Sequence, residues 1–231
     1  MCWLAVISAL ALIAFMVWAS ADIGSNIYLK SVCKGDKKEK RLVLTFDDGP
    51  DETMTPRVLD VLKQHNIKAT FFLIGEKVDR SPSIVKQIVD EGHIVANHTY
   101  SHGGTFPLSS YAKVKDELQR CSDSIYEAVG LRVALFRPPF GVTNPIIGKS
   151  VRQLGFKTIG WSIRSLDTVS KSRDLVAEKV IRQLHPGAII LLHDRCENAD
   201  ILLEKIISSS IEKGYEFVSL HEMLKLKVYE D

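Results

Sequence analysis

The chain has 231 residues, 45% hydrophobic and 25% charged, with 30 basic against 28 acidic side chains. That balance fits one globular domain or two small ones. A net charge of +2 offers no basic surplus for gripping phosphate backbones, so the reading carries no nucleic-acid partner, and no obligate protein partner is evident either.

Residues 1–21 are uncharged and apolar except for Ser8 and Ser20. A run of that length predicts one N-terminal hydrophobic helix able to cross a bilayer. Trp3 and Trp18 stand near its ends, as interfacial anchors do, whereas Ala19-Ser20-Ala21 fits the small-residue rule for signal-peptidase cleavage. The segment therefore reads as a membrane anchor, or as a leader whose removal would secrete the domain. Lys30, Lys34, Lys37, Lys38, Lys40 and Arg41 follow it, and by the positive-inside rule they argue instead for a cytoplasmic domain. Cys33, Cys121 and Cys196 lie beyond the leader without CxxC spacing, and this odd number predicts free thiols.

Residues 22–40, with the cluster GDKKEK, read as a polar linker, and residues 41–231 as a single catalytic-sized domain. Within it, short apolar runs at 41–46, 68–74, 93–96, 133–136, 156–161, 187–192 and 215–219 predict strands. Helical patterns near 55–65, 81–91, 109–128, 144–154, 173–184 and 199–213 lie between them. Ser81-Pro82 reads as a cap with proline in the first turn, and Gly92, Gly130, Gly155 and Gly214 stand where helices should stop. Unbroken apolar strands alternating with helices predict a parallel sheet covered on both faces. Seven such units point to a barrel-like or doubly wound α/β domain.

Ligands in parallel α/β folds bind beyond the carboxyl ends of the strands. Just past those ends lie Asp47-Asp48, Asn97-His98, the run Arg137 to Gly141, Trp161, and His193-Asp194. His98 and His102, four residues apart, can aim both imidazoles at one point, and a carboxylate from the aspartate pair would be a third ligand. Two histidines and a carboxylate with open positions form a catalytic metal arrangement, most simply for Zn²⁺. One aspartate should bind the metal and the other remain as a base. Arg137 is placed to orient that base, and His193 to protonate a leaving group. Together these groups predict hydrolysis of an amide or ester.

At these residues the sequence resembles the polysaccharide deacetylase (NodB-homology) domain of carbohydrate esterase family 4, over roughly residues 40–227. Thr45-Phe46-Asp47-Asp48-Gly49-Pro50 matches TFDDGP, His98-Thr99-Tyr100-Ser101-His102 matches H-[ST]-x-x-H, and Arg137-Pro138-Pro139-Phe140-Gly141 and Leu191-Leu192-His193 match the later motifs. The resemblance implies a distorted (β/α) barrel of about seven parallel strands. It implies Asp47 as catalytic base, Asp48, His98 and His102 as ligands of a divalent metal (Zn²⁺, or Co²⁺, Ni²⁺ or Mn²⁺), Arg137 orienting the base and His193 as acid. Pro139, Phe140, Trp161 and Leu191 would line the substrate groove, and a backbone N–H near Pro50 or Asp51 would hold the oxyanion. The implied reaction releases acetate from an N-acetylated oligo- or polysaccharide.

One motif departs from the family pattern W-x-x-D-x-x-D-W. Here Arg164 replaces the first aspartate and Thr168 the last tryptophan, while Asp167 is kept. Arg164 would either alter the acid histidine or bind an anionic sugar group such as a lactyl ether, or it points outward and Asp167 takes the aspartate's role. Two other functions stay open: hydrolysis of a non-sugar cyclic amide or imide on the same fold, and glycan binding without catalysis.

Overall fold

The computed structural model describes residues 2–170 and 172–230. It opens with α1 (Cys2–Ala21) and continues β1 (Ser31–Val32), β2 (Arg41–Gly49), α2 (Met54–Gln64), β3 (Thr70–Leu73), α3 (Gly75–Arg80), α4 (Pro82–Asp90), β4 (Ile94–Asn97), α5 (Tyr111–Val129) and β5 (Leu135–Phe136). Then follow α6 (Pro145–Gln153), β6 (Lys157–Ile159), β7 (Ile163–Arg164), α7 (Arg173–Arg182), β8 (Ala188–His193), α8 (Ala199–Glu212), β9 (Glu216–Phe217) and α9 (Leu220–Leu224).

All strand pairings named among the described residues are parallel, in the order β1-β6-β5-β4-β3-β2-β8-β7, with β9 beside the start of β2. The order ends at β1 and β7, which do not pair, so the barrel is open. Among the described residues the seven expected strands are present, with two more beside them. The two extra ones, β1 and β7, are two residues long, too short to carry an alternation pattern. Because β1 pairs with β6 and Lys34 bridges to Ala188, part of the stretch expected as a linker is sheet.

The unbroken apolar run of β2 is buried on both faces, as a central parallel strand requires. Period-2 alternation divides it. Leu42, Leu44 and Phe46 join the cluster under the helices, together with Val58 and Leu62 of α2 and Leu203 and Ile207 of α8. Val43 points the other way, into the barrel, with Phe72, Ala96, Leu135, Ile159 and Ile189. Thr45 and Asp47 share the parity of Val43, so the same alternation sends Asp47 into the barrel mouth.

Helix α1 leaves its apolar side chains, Leu4, Ile7, Leu10 and Ile13 among them, exposed, and is long and apolar enough to cross a membrane. Its last turn is seated on the domain. Ala19 is buried, the Thr143 N–H donates to the Ser20 carbonyl at 2.9 Å, and the Ser25 hydroxyl donates to the Ala19 carbonyl at 2.9 Å.

Candidate active site

Neighbouring residues of a regular strand point to opposite faces, so an Asp-Asp pair should be split. A bulge prevents this. The β2–β3 register runs Asp47↔Phe72 and then Gly49↔Leu73, skipping Asp48, whose φ of 72° lies in the left-handed region. Both carboxylates thereby reach the same rim. Gly49 must be glycine, because a Cβ there would stand 2.3 Å from Asp194 Oδ2. Asp194 does not cap the segment after it but is turned inward, fully buried, accepting from the Thr55 hydroxyl at 2.5 Å. Burial raises its carboxyl to about 7.

Asp48, His98 and His102 converge, with ligand atoms all within 4.8 Å of one another. Asp48 Oδ1 lies 3.4 Å from His98 Nε2 and 3.3 Å from His102 Nε2, is buried, and has no hydrogen-bond partner. A buried carboxylate oxygen left unsatisfied between two imidazoles is costly unless a cation fills the gap. The residues present therefore fit a divalent metal. His98 Nδ1 donates to the Arg137 carbonyl at 2.8 Å, which fixes its tautomer and turns Nε2 toward Asp48. Burial, then the neighbouring His98, lowers His102 to about 4, so its imidazole is neutral and able to ligate at physiological pH. Burial alone would raise the Asp48 carboxyl, but the three imidazoles around it, His98 first, hold it well below the usual carboxylate range. The two histidines come from a loop after β4, not a helical turn, with Thr99 and His102 both in the left-handed region.

Arg137 follows β5 and is 0% exposed despite its charge. Its guanidinium donates to the Ile159 and Gly160 carbonyls, the Thr45 hydroxyl and Asp47 Oδ1, the last at 2.6 Å, and lies 4.1 Å from the Phe72 ring centroid. A planar fork so anchored orients the Asp47 carboxylate in one position. The second oxygen of Asp47 faces His98 Nε2 at 3.7 Å, beside the Asp48–His98–His102 cluster.

Across the rim, His193 Nδ1 donates to Asp167 Oδ1 at 2.7 Å and its backbone N–H to Asp167 Oδ2 at 2.8 Å. Burial would lower the imidazole pKa, but the bond and charge of Asp167 outweigh it and raise the value. Asp167 is 2% exposed, so it is a partner of the histidine and not a groove residue. Arg164 is exposed, its guanidinium over the Trp161 ring at 5.6 Å, with no ion pair to His193 or Asp167. In Asp167→Asn we expect the basic limb of the pH–kcat/KM profile to move to lower pH, because His193 loses the carboxylate that keeps it protonated. In Arg164→Asp the limb should stay in place. An unmoved limb in Asp167→Asn would remove Asp167 from this role.

Phe140 is 47% exposed and packs edge-on against His102 at 4.9 Å, whereas Pro139 is buried beneath it. Trp161 is half-buried against Gly141, and Leu191 lies buried beside Thr45 in the β8 register. Pro50 has no N–H, and the Asp51 N–H already donates to the Thr55 hydroxyl at 2.8 Å. The expected oxyanion donor is therefore not in the 50–51 turn. Arg195, on the loop after β8, donates from Nε to Asp48 Oδ2 at 2.8 Å, although no motif of the sequence marks it.

A profile of the family described as polysaccharide deacetylase matches residues 34–159. The peptidoglycan-N-acetylmuramic acid deacetylase PdaA of Bacillus subtilis strain 168 is 35% identical over 82% of this chain and 73% of its own length. The peptidoglycan-N-acetylglucosamine deacetylase PgdA of Listeria monocytogenes is 34% identical over 88% of this chain, which spans only 44% of that relative. Among solved structures, the Bc1960 peptidoglycan N-acetylglucosamine deacetylase superposes with a TM-score of 0.82 at 33% identity, covering 87% of this chain and 95% of that one. BA3943 of Bacillus anthracis, described as a pseudoenzyme of the same family, superposes at 0.78 with 30% identity over 84% and 68% of the two chains. The chain belongs to the polysaccharide deacetylase family, carbohydrate esterase family 4.

Proposed function

We propose that this protein is a metal-dependent deacetylase of peptidoglycan, releasing acetate from the N-acetyl group of a glycan sugar at the cell envelope. The observation that carries the reading is the juxtaposition of Asp47, held by buried Arg137, with the Asp48–His98–His102 cluster and the Asp167-paired His193. Relatives named as peptidoglycan deacetylases support the substrate class. Kinship with a pseudoenzyme leaves catalysis to rest on these groups, and here they are present and aligned.

Zn²⁺ (or Co²⁺, Ni²⁺ or Mn²⁺) held by Asp48, His98 and His102 would supply Lewis acidity toward the acetyl carbonyl and make water a better nucleophile. Asp47 would take the proton of the attacking water, with Arg137 keeping its carboxylate aimed. His193 would give its Nε2 proton to the departing sugar nitrogen, while Asp167 grips Nδ1. Phe140 and Trp161 would flank the sugar, with Pro139 and Leu191 packed behind them. Exposed Arg164 suits an anionic substituent such as the lactyl carboxylate of a muramic unit. An uncleaved α1 would keep the domain at the membrane, beside its polymer.

The test is acetate release measured over peptidoglycan fragments, chitin oligomers, acetylated xylan and cyclic imides. We expect peptidoglycan fragments to be preferred, and Arg164→Ala to raise KM several-fold for muramic substrates alone. Turnover of imides without acetate release from any sugar would overturn the reading.

A further inference from the structure

Glu117 is a charged residue in the buried stripe of α5, at helical spacing from Val114, Leu118 and Cys121, and is 2% exposed. A carboxylate so placed needs partners, and it finds them in the loop that carries the two histidines. Glu117 Oε2 accepts from the backbone N–H groups of Tyr100 at 3.1 Å and Ser101 at 2.8 Å. Oε1 accepts from the Ser101 hydroxyl at 2.9 Å and pairs with Lys113 Nζ at 3.0 Å.

The other side of the same peptide is also held. The Gly75 and Glu76 N–H groups, opening α3, donate to the carbonyls of Thr99 and Tyr100 at 3.0 and 2.9 Å. A Cβ on Gly75 would stand 2.6 Å from the Tyr100 ring, and Arg120 covers that ring from α5 at 3.7 Å. Residues 99–101 are thus clamped between two helices, N–H groups toward α5 and carbonyls toward α3.

The two imidazoles depend on this clamp unequally. His98 is fixed independently, by its own N–H on the Leu73 carbonyl and by Nδ1 on the Arg137 carbonyl. His102 has its N–H on the Thr99 hydroxyl at 3.2 Å, a partner inside the clamped loop. A left-handed φ of 49° at His102 must be imposed by its surroundings.

We propose that Glu117 is a positioning residue that presets His102 against Asp48 and His98, so that metal affinity is set in part from α5. This rests on the reading of Asp48, His98 and His102 as metal ligands. Outer-shell partners that orient ligands typically account for about 10–100-fold in metal affinity.

The experiment is a chelator-competition titration of Zn²⁺ into the metal-stripped full chain, with thermal unfolding of the same stripped samples. Glu117→Gln, which keeps one acceptor oxygen, and Ser101→Ala, which removes one arm at an exposed residue, are compared with wild type. Glu117→Gln is expected to weaken Zn²⁺ about 10-fold or more, and Ser101→Ala by a few-fold. Turnover lost by Glu117→Gln at limiting metal should return with excess metal. Zn²⁺ affinities within two-fold of wild type in both variants, with or without a lowered unfolding midpoint, would overturn the proposal. If Glu117→Gln does not fold, Ser101→Ala decides alone. A wild-type chain that binds no Zn²⁺ would instead overturn the metal-site reading beneath it.

Discussion

Asp47→Asn should reduce kcat by about 10²–10⁴-fold while leaving metal binding intact. The amide preserves the shape of the carboxylate and can still accept from Arg137, so the rim stays assembled. What it loses is the capacity to take a proton. The three groups assigned to the metal are elsewhere: Asp48 on the bulge, His98 and His102 on the loop after β4. A second consequence follows from burial. Arg137 is 0% exposed and Asp47 is its one carboxylate partner among the described residues. Removing one member of a buried pair leaves an uncompensated charge, at a cost of about 3–5 kcal/mol, with the retained hydrogen bond placing this variant at the low end. Acetate release, metal content and thermal unfolding separate these effects. Full turnover with metal still bound would show that Asp47 is not the base.

Much of this site was legible in the sequence because strand ends in a parallel α/β fold converge on one rim. Asp47, His98, Arg137 and His193 could be placed together from that rule alone, and their motifs sharpened the roles. How two adjacent aspartates face one site was not legible. It depends on a bulge at Asp48, a non-glycine residue whose side chain carries no mark of the left-handed backbone it adopts. The role of Asp167 against Arg164 was equally open on paper, because a two-residue strand, β7, sets which of them faces β8. Glu117 had a signal that went unread: it shares the helical phase of Val114, Leu118 and Cys121, so its burial could be inferred, although its partners could not. Arg195 gave none. A charged residue in a polar loop looks solvated until the loop's path is known. The oxyanion donor expected near Asp51 failed because a local bond to Thr55 had already taken that N–H.

Metal removal should have the largest effect of all. Asp48 Oδ1 is buried, 3.4 and 3.3 Å from two imidazole nitrogens, and satisfied by no hydrogen bond. Asp48, His98 and His102 are the groups proposed to hold a Lewis acid there, and Arg195, on the other oxygen of Asp48, leaves Oδ1 unpartnered. Without the ion, Asp47 and His193 retain their hydrogen bonds but face a carbonyl that nothing polarises. The most direct measurement is acetate released from N-acetylated peptidoglycan fragments by the full chain, before chelation, after chelation, and after stoichiometric Zn²⁺ or Co²⁺ is returned. We expect acetate release to fall to background with chelator and to recover with either ion. Acetate release that persists in the fully stripped protein, or none in a protein carrying one Zn²⁺ per chain, would contradict this account of the site.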